Sequence, residues 1–144
     1  MTRFAGGPVE SPGFLLWHAT LRWQRAVTAA LAPLGLTHVQ FVLLACTWWG
    51  SRSGESPNQA SVAAQAGTDP KMTSEVLVRL QSKGLLERVT DPRDRRAKLL
   101  SVTAAGSRLA ARAVDVVEAV DATFFGDHPD HADVTLLQRL AGLG

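Results

Sequence analysis

The stretch TDPKMTSEVLVRLQSKGLLERVTDPRDRRAKLLSVT, residues 68–103, decides the fold. Asp69-Pro70 is a helix start: a short acceptor for the first unpaired amides, then a proline where no amide partner is needed. Gly84 closes that helix, because glycine takes the left-handed conformation wanted just past a helix end. A helix over Pro70–Lys83 places Thr73, Val76, Leu77 and Leu80 on one face. Lys71, Ser74, Glu75 and Val78 lie opposite, with Arg79 at the flank and Met72 at the boundary. Two segments of strand length follow, Leu86–Thr90 and Lys98–Val102, joined by Asp91-Pro92-Arg93-Asp94-Arg95-Arg96-Ala97. Proline, aspartates and arginines between apolar runs predict a hairpin with an exposed, basic tip.

Upstream, a short helix opens at an Asn58 or Ser56 cap and ends at Gly67, after a polar loop over Gly50–Pro57. Thr37 with Gln40 forms a capping-box pattern and starts a helix through Phe41, Leu44 and Cys46 to about Trp49. Phe14–Ala32 contains no Gly or Pro, and Leu16, Ala19, Trp23, Ala26, Val27 and Ala30 recur at helical spacing until Pro33 and Gly35. Residues 1–12, with Gly6, Gly7, Pro8 and Pro12, read as a flexible arm. Downstream, Thr103 caps a helix reaching about Phe125, striped by Leu109, Ala113, Val116, Val117, Val120 and Phe124. A break over Gly126–Pro129 precedes a last helix, Asp133–Leu143. The predicted class is mainly α (α+β), a winged helix-turn-helix flanked by N- and C-terminal helices. The expected division is 1–33 (arm and first helix), 34–103 (winged helix-turn-helix) and 104–144 (C-terminal helices).

With 144 residues, 46% of them apolar, the chain is long enough for one domain with a real core. No apolar run approaches the roughly 18 residues that span a bilayer. Met1–Ser11 lacks the apolar centre of a signal peptide. The single cysteine, Cys46, excludes an intramolecular disulfide framework and fits a reducing compartment, so the cytoplasm is the expected location. Net charge is only +2, but its distribution is uneven. Lys71–Lys98 holds eight basic and four acidic residues, a local +4 that leaves −2 for the rest. Such a cluster is either a solvated face or a surface for a polyanion.

The helix-turn-helix pattern favours the polyanion. A supporting helix, a tight turn and a second helix with a free polar face form the unit that enters a DNA major groove. Lys71 and Ser74 sit near the helix N-terminus, where the dipole favours phosphate. Arg79 can bind guanine in bidentate fashion or clamp a phosphate, and Glu75 can accept from cytosine at an electrostatic cost. Arg93, Arg95 and Arg96 at the hairpin tip suit a narrow A·T-rich minor groove. Asp94 is spaced to pair with Arg96, which leaves Arg95, then Arg93, as the freer side chain. No cofactor is expected, and no catalytic constellation stands out. His128, Asp130, His131 and Asp133 cluster, but in a Gly/Pro loop that reads as solvated.

From Gly35 to Leu109 the chain resembles the MarR family of bacterial transcriptional regulators. The resemblance rests on Lys83-Gly84-Leu85-Leu86-Glu87-Arg88, then Asp91-Pro92-Arg93-Asp94-Arg95-Arg96-Ala97, then Leu99–Thr103 with Gly106, and on Leu34–Thr37 with Gln40-Phe41. It implies a homodimer interlocked through the first, fifth and sixth helices. Each recognition helix would lie in a major groove of a pseudo-palindromic double-stranded operator, and each wing in the adjacent minor groove. It also implies a small aromatic or phenolic effector, in a cleft lined from the first, second and fifth helices. Trp17, His18, Arg22, Trp23 and Trp48 are the candidate contacts there; tryptophans at helical spacing serve equally as core. Some relatives sense peroxide through a cysteine near the start of the first helix, where this chain has none. Cys46 reads as a buried, unreactive thiol. The leading expectation is a ligand-released repressor; the second is a winged-helix protein–protein interaction module without specific DNA binding. A nucleic-acid-processing enzyme comes last, for want of an active site.

Overall fold

The computed structural model describes residues 3–127 and 131–144, with 131 and 132 described by backbone alone. Its elements are α1 (Pro12–Leu31), α2 (His38–Gly50), α3 (Gln59–Ala66), α4 (Pro70–Ser82), β1 (Leu86–Asp91), β2 (Asp94–Val102), α5 (Ala104–Phe125) and α6 (His131–Ala141). No single helix among the described residues is long and apolar enough to cross a membrane. The core is drawn from every element except α6. Val27 and Leu31 of α1 meet Leu43 and Leu44 of α2, Val62 of α3, Leu77 and Leu80 of α4, Leu86 and Leu100 of the hairpin, and Ala110 and Ala113 of α5, all at most 2% exposed. Each such leucine contributes about 2 kcal/mol by leaving water.

Local chemistry sets the helix ends. Thr37 and Gln40 form the full capping box, and the Asn58 and Asp69 side chains accept from Ala60 N and Met72 N at 2.7 and 2.8 Å. Thr73, Val76, Leu77 and Leu80 are buried, so the inner face of α4 is the one its sequence predicts. Helix α1 begins earlier than Phe14. Ser11 caps it, and Pro12 occupies a first-turn position where its missing amide costs nothing. The segment expected to be a flexible arm carries a 3-10 turn over Pro8–Glu10, and the Glu10 carboxylate accepts from Gly6 N at 2.9 Å.

The hairpin is longer than its apolar runs. Antiparallel pairing runs from Leu86↔Val102 to Thr90↔Lys98, then shifts so that Asp91 pairs with Asp94. The expected seven-residue tip is therefore a Pro92-Arg93 turn plus a bulge on β2, with 95–97 left over between the two registers. The cause is Asp91: only 8% exposed, it accepts from Arg93 N at 2.9 Å and holds the turn closed.

One junction joins the two halves of the domain. Gly84 has φ +72° and lets the chain leave α4 sharply. Thr103 Oγ1 donates to Gly84 O at 2.6 Å and accepts from Gly106 N at 3.0 Å, while Thr103 N donates to Leu85 O at 3.1 Å. A Cβ on Gly106 would collide with the Leu85 carbonyl, which is backbone and has no room to move. Gly106→Ala is therefore expected to cost ~2–3 kcal/mol, or roughly 5–10 °C in Tm, by thermal melting. A wild-type Tm would show that the junction yields.

Candidate nucleic-acid interface

Packing of its inner face fixes which side of α4 is outward. Lys71, Glu75 and Arg79 are exposed, Ser74 is half-buried, and Ser74, Glu75, Val78 and Arg79 line a shallow concavity on that surface. Met72, at the boundary on the helical wheel, is exposed. At the start of the helix the Asp69 carboxylate takes Met72 N, Asp69 O takes Thr73 N and Pro70 has no amide, so the first turn offers an anion Lys71 and little free backbone.

The wing arginines are sorted by two aspartates. Arg93 Nε lies 3.7 Å from Asp91 Oδ1, with its side chain 87% exposed. Asp94 Oδ1 accepts from Arg96 N at 3.0 Å, so it braces the backbone of Arg96 and not its guanidinium, contrary to the side-chain pairing expected from spacing. The reason is geometric: a short Asp side chain reaches the amide two residues ahead far more readily than a long, solvated arginine head. Among the described residues Lys71, Glu75, Arg79, Arg95 and Arg96 form no ion pair.

Helix and wing are tied together. Leu100 N donates to Pro57 O at 2.8 Å and Asn58 bridges Leu99, so the segment entering α3 lies along β2. Between them is a cleft of about 590 Å³, with Gln59, Thr68 and Pro70 on one wall and Asp94, Arg96 and Lys98 on the other. Gln59 Oε1 is buried there without a hydrogen-bond partner.

The five aromatic and basic candidates of the helical core do not share a cavity. Arg22 alone lines the groove of about 640 Å³ between α1 and α5, with Ala26, Val116, Val120 and Phe124. Trp17 lines a separate groove along α1, and His18 stacks on Phe14 at 4.5 Å. Trp48 Nε1 donates to Ser107 Oγ at 3.2 Å. Trp23 Nε1 donates to Asp121 Oδ1 at 2.8 Å and packs edge-on against His38 at 5.1 Å. Sequence reading singled out neither His38 nor Asp121; 98 residues separate Trp23 from Asp121, and no local pattern joins them. His128 and Asp130, like the His131 side chain, lie outside the described residues. Burial raises the Cys46 thiol above its ordinary pKa and keeps it protonated at neutral pH.

The sequence model of the MarR family matches residues 36–98. The HTH-type transcriptional regulator YdcH of Bacillus subtilis is 46% identical over 119 residues, 83% of this chain and 81% of that protein. This chain belongs to the MarR family. The HTH-type transcriptional repressor Rv2887 of Mycobacterium tuberculosis is a further relative, 35% identical over 76% of each chain. Among solved structures, CouR of Rhodococcus jostii bound to p-coumaroyl-CoA superposes with a TM-score of 0.79 at 29% identity, over 93% of this chain and 91% of that one. CouR bound to a 23-mer DNA duplex matches with a TM-score of 0.78 at 26% identity, over 99% of each chain. The chain is thus a MarR-family transcriptional regulator and not an enzyme.

Burial pushes the His38 pKa below its ordinary 6.5, with Asp121 opposing the shift. The folded state therefore resists protonation more than the unfolded chain. The stability tied to this group is complete above pH 6.5 and is lost as pH falls below it. Thermal melts from about pH 7.5 to about pH 5 should show a decline that flattens in His38→Gln. An unchanged slope in that variant would assign the decline to other groups.

Proposed function

We propose that this regulator is a homodimeric repressor that binds a pseudo-palindromic double-stranded operator and is released by a small planar aromatic acid. The observation that carries this reading is one helix–wing body on which Lys71, Arg79, Arg95 and Arg96 have no carboxylate partner among the described residues. Lys71, Ser74 and Arg79 serve the major groove and its phosphates, Glu75 accepts from a cytosine amino group, and Arg95 enters the minor groove flanked by Arg93 and Arg96. The likeness to CouR on duplex DNA supports the docking mode.

Dimerisation through α1, α5 and α6 is supported by apolar surface left uncovered on the protomer. Leu15, Leu16 and Trp17 of α1 and Leu136, Leu137 and Leu140 of α6 are all exposed, the last at 61%. The aromatic, phenolic part of the effector class is supported by the likeness to CouR bound to p-coumaroyl-CoA, a thioester whose acyl group carries no free carboxylate. Arg22, the one candidate that lines the α1–α5 groove, supplies the cation for the acid's carboxylate; Trp17, His18, Trp23 and Trp48 lie outside that groove. The protein works in the cytoplasm, where its operator is.

Duplexes selected from a random pool test the reading directly. Wild-type protein should bind them as a dimer, with log affinity falling linearly in log salt. Arg95→Ala should weaken binding by roughly tenfold or more and reduce the salt slope by about two, one for each protomer, without unfolding the dimer. Retained affinity in that variant would move the minor-groove contact to Arg93 or Arg96. A monomer, or a protein indifferent to every duplex in dilute buffer, would overturn the proposal.

A further inference from the structure

We propose that Lys83 is a positioning residue for operator recognition: its ammonium clasps the C-terminal end of the recognition helix α4 to the elbow between α1 and α2, and so sets the angle at which α4 is presented. This inference rests on the DNA-binding reading above. Lys83 is the C-cap residue of α4. Its Nζ donates to Gly35 O at 2.6 Å and to Gln40 Oε1 at 3.0 Å. Gly35, at φ +70°, ends the short 3-10 turn that terminates α1. Gln40 is only 7% exposed, and the same Oε1 accepts from Thr37 N at 3.2 Å. One ammonium therefore ties the last turn of α4 to the end of α1 and to the first turn of α2.

The chemistry of the residue suits the task. A cation at a helix C-terminus is favoured by the helix dipole. Two acceptors that do not lie side by side are met by the rotatable donors of an ammonium, where a planar guanidinium fork fits poorly. The elbow is also held from its other side. His38, the first residue of α2, packs on Trp23, whose indole is bonded to Asp121 of α5. Helices α1 and α5, through Trp23 and Asp121, and the recognition helix, through Lys83, are thus all fastened to the same few residues, Gly35–Gln40.

Removing the ammonium leaves the fold its other supports. Thr37 still satisfies Gln40, Gly35 O is free to meet water, and Thr73, Leu77 and Leu80 keep α4 seated. What disappears is the direct tie between the far end of α4 and the α1–α2 elbow, while Thr103 still holds Gly84. The consequence appears in how strictly the dimer measures half-site separation, and hardly in stability.

The test uses the full-length protein and duplexes selected by the wild type, together with versions lengthened or shortened by a single base pair between half-sites. Lys83→Met should bind the selected duplex roughly three- to tenfold more weakly, the range for a charge-assisted hydrogen bond partly screened by water. Its discrimination against the altered spacings should shrink, with Tm and salt slope close to wild type. Lys83→Arg, which retains the charge and can still reach one acceptor, should recover part of the discrimination. If Lys83→Met proves poorly folded, Lys83→Gln, which keeps a donor, should fold and show the relaxed spacing. Wild-type affinity and spacing strictness in both neutral variants would overturn the inference. So would a salt slope lower by about two, one for each protomer, with spacing strictness intact, which would make Lys83 a phosphate contact. A lowered Tm with unchanged spacing strictness would make it a stability residue and overturn the inference too. Failure of the wild type to bind any duplex would instead overturn the function on which the inference rests.

Discussion

The hydroxyl of Thr103 holds this domain together as a DNA-reading device. It donates to the Gly84 carbonyl and accepts from the Gly106 amide, while its own amide donates to Leu85. The end of α4, the start of β1, the end of β2 and the first turn of α5 therefore meet at one side chain. Gly84 is there because the turn needs positive φ, and Gly106 because the Leu85 carbonyl leaves no space for a Cβ. Three residues that look unrelated in sequence are one contact in space. Without it, the recognition helix and the wing would keep only the β2 pairing with Pro57 and Asn58 and their shared core.

Rigidity matters because the proposed ligand is rigid. A major groove and the minor groove beside it have a fixed separation, so a helix and a hairpin that read both must keep their relative position before binding. The β2 pairing with Pro57 and Asn58 and the closure of the turn by Asp91 serve the same end. Flexibility remains where it is useful, in the exposed arginine heads that must adapt to the width of a groove.

Much of this was legible from residue types. Caps are local chemistry, and Thr37, Asn58, Asp69, Gly84 and Thr103 each mark a boundary that the structure keeps. The inner stripe of α4 follows from periodicity alone. Pro12 misled because proline breaks a helix in its interior and starts one at its first turn; Ser11 just before it was the deciding signal. The strands outran their apolar residues because backbone pairing across Asp91 and Asp94 needs no hydrophobic pattern. The contacts of Lys83 with Gly35 and of Trp23 with Asp121 span 48 and 98 residues, beyond the reach of any local pattern. For the same reason the five effector candidates, gathered from helical spacing, are distributed over several surfaces in three dimensions.

The central claim is that a paired, rigid helix–wing unit reads duplex DNA twice. Footprinting a selected duplex with dimethyl sulfate, which reports guanine N7 in the major groove, and with hydroxyl radical, which reports the sugars along the minor groove, examines it most directly. The account predicts a two-fold symmetric pattern: two protected major-groove segments centred about one helical turn apart, each flanked on the outside by a protected minor groove. A single unsymmetrical footprint, or protection of major-groove segments with the flanking minor grooves left open, would contradict it.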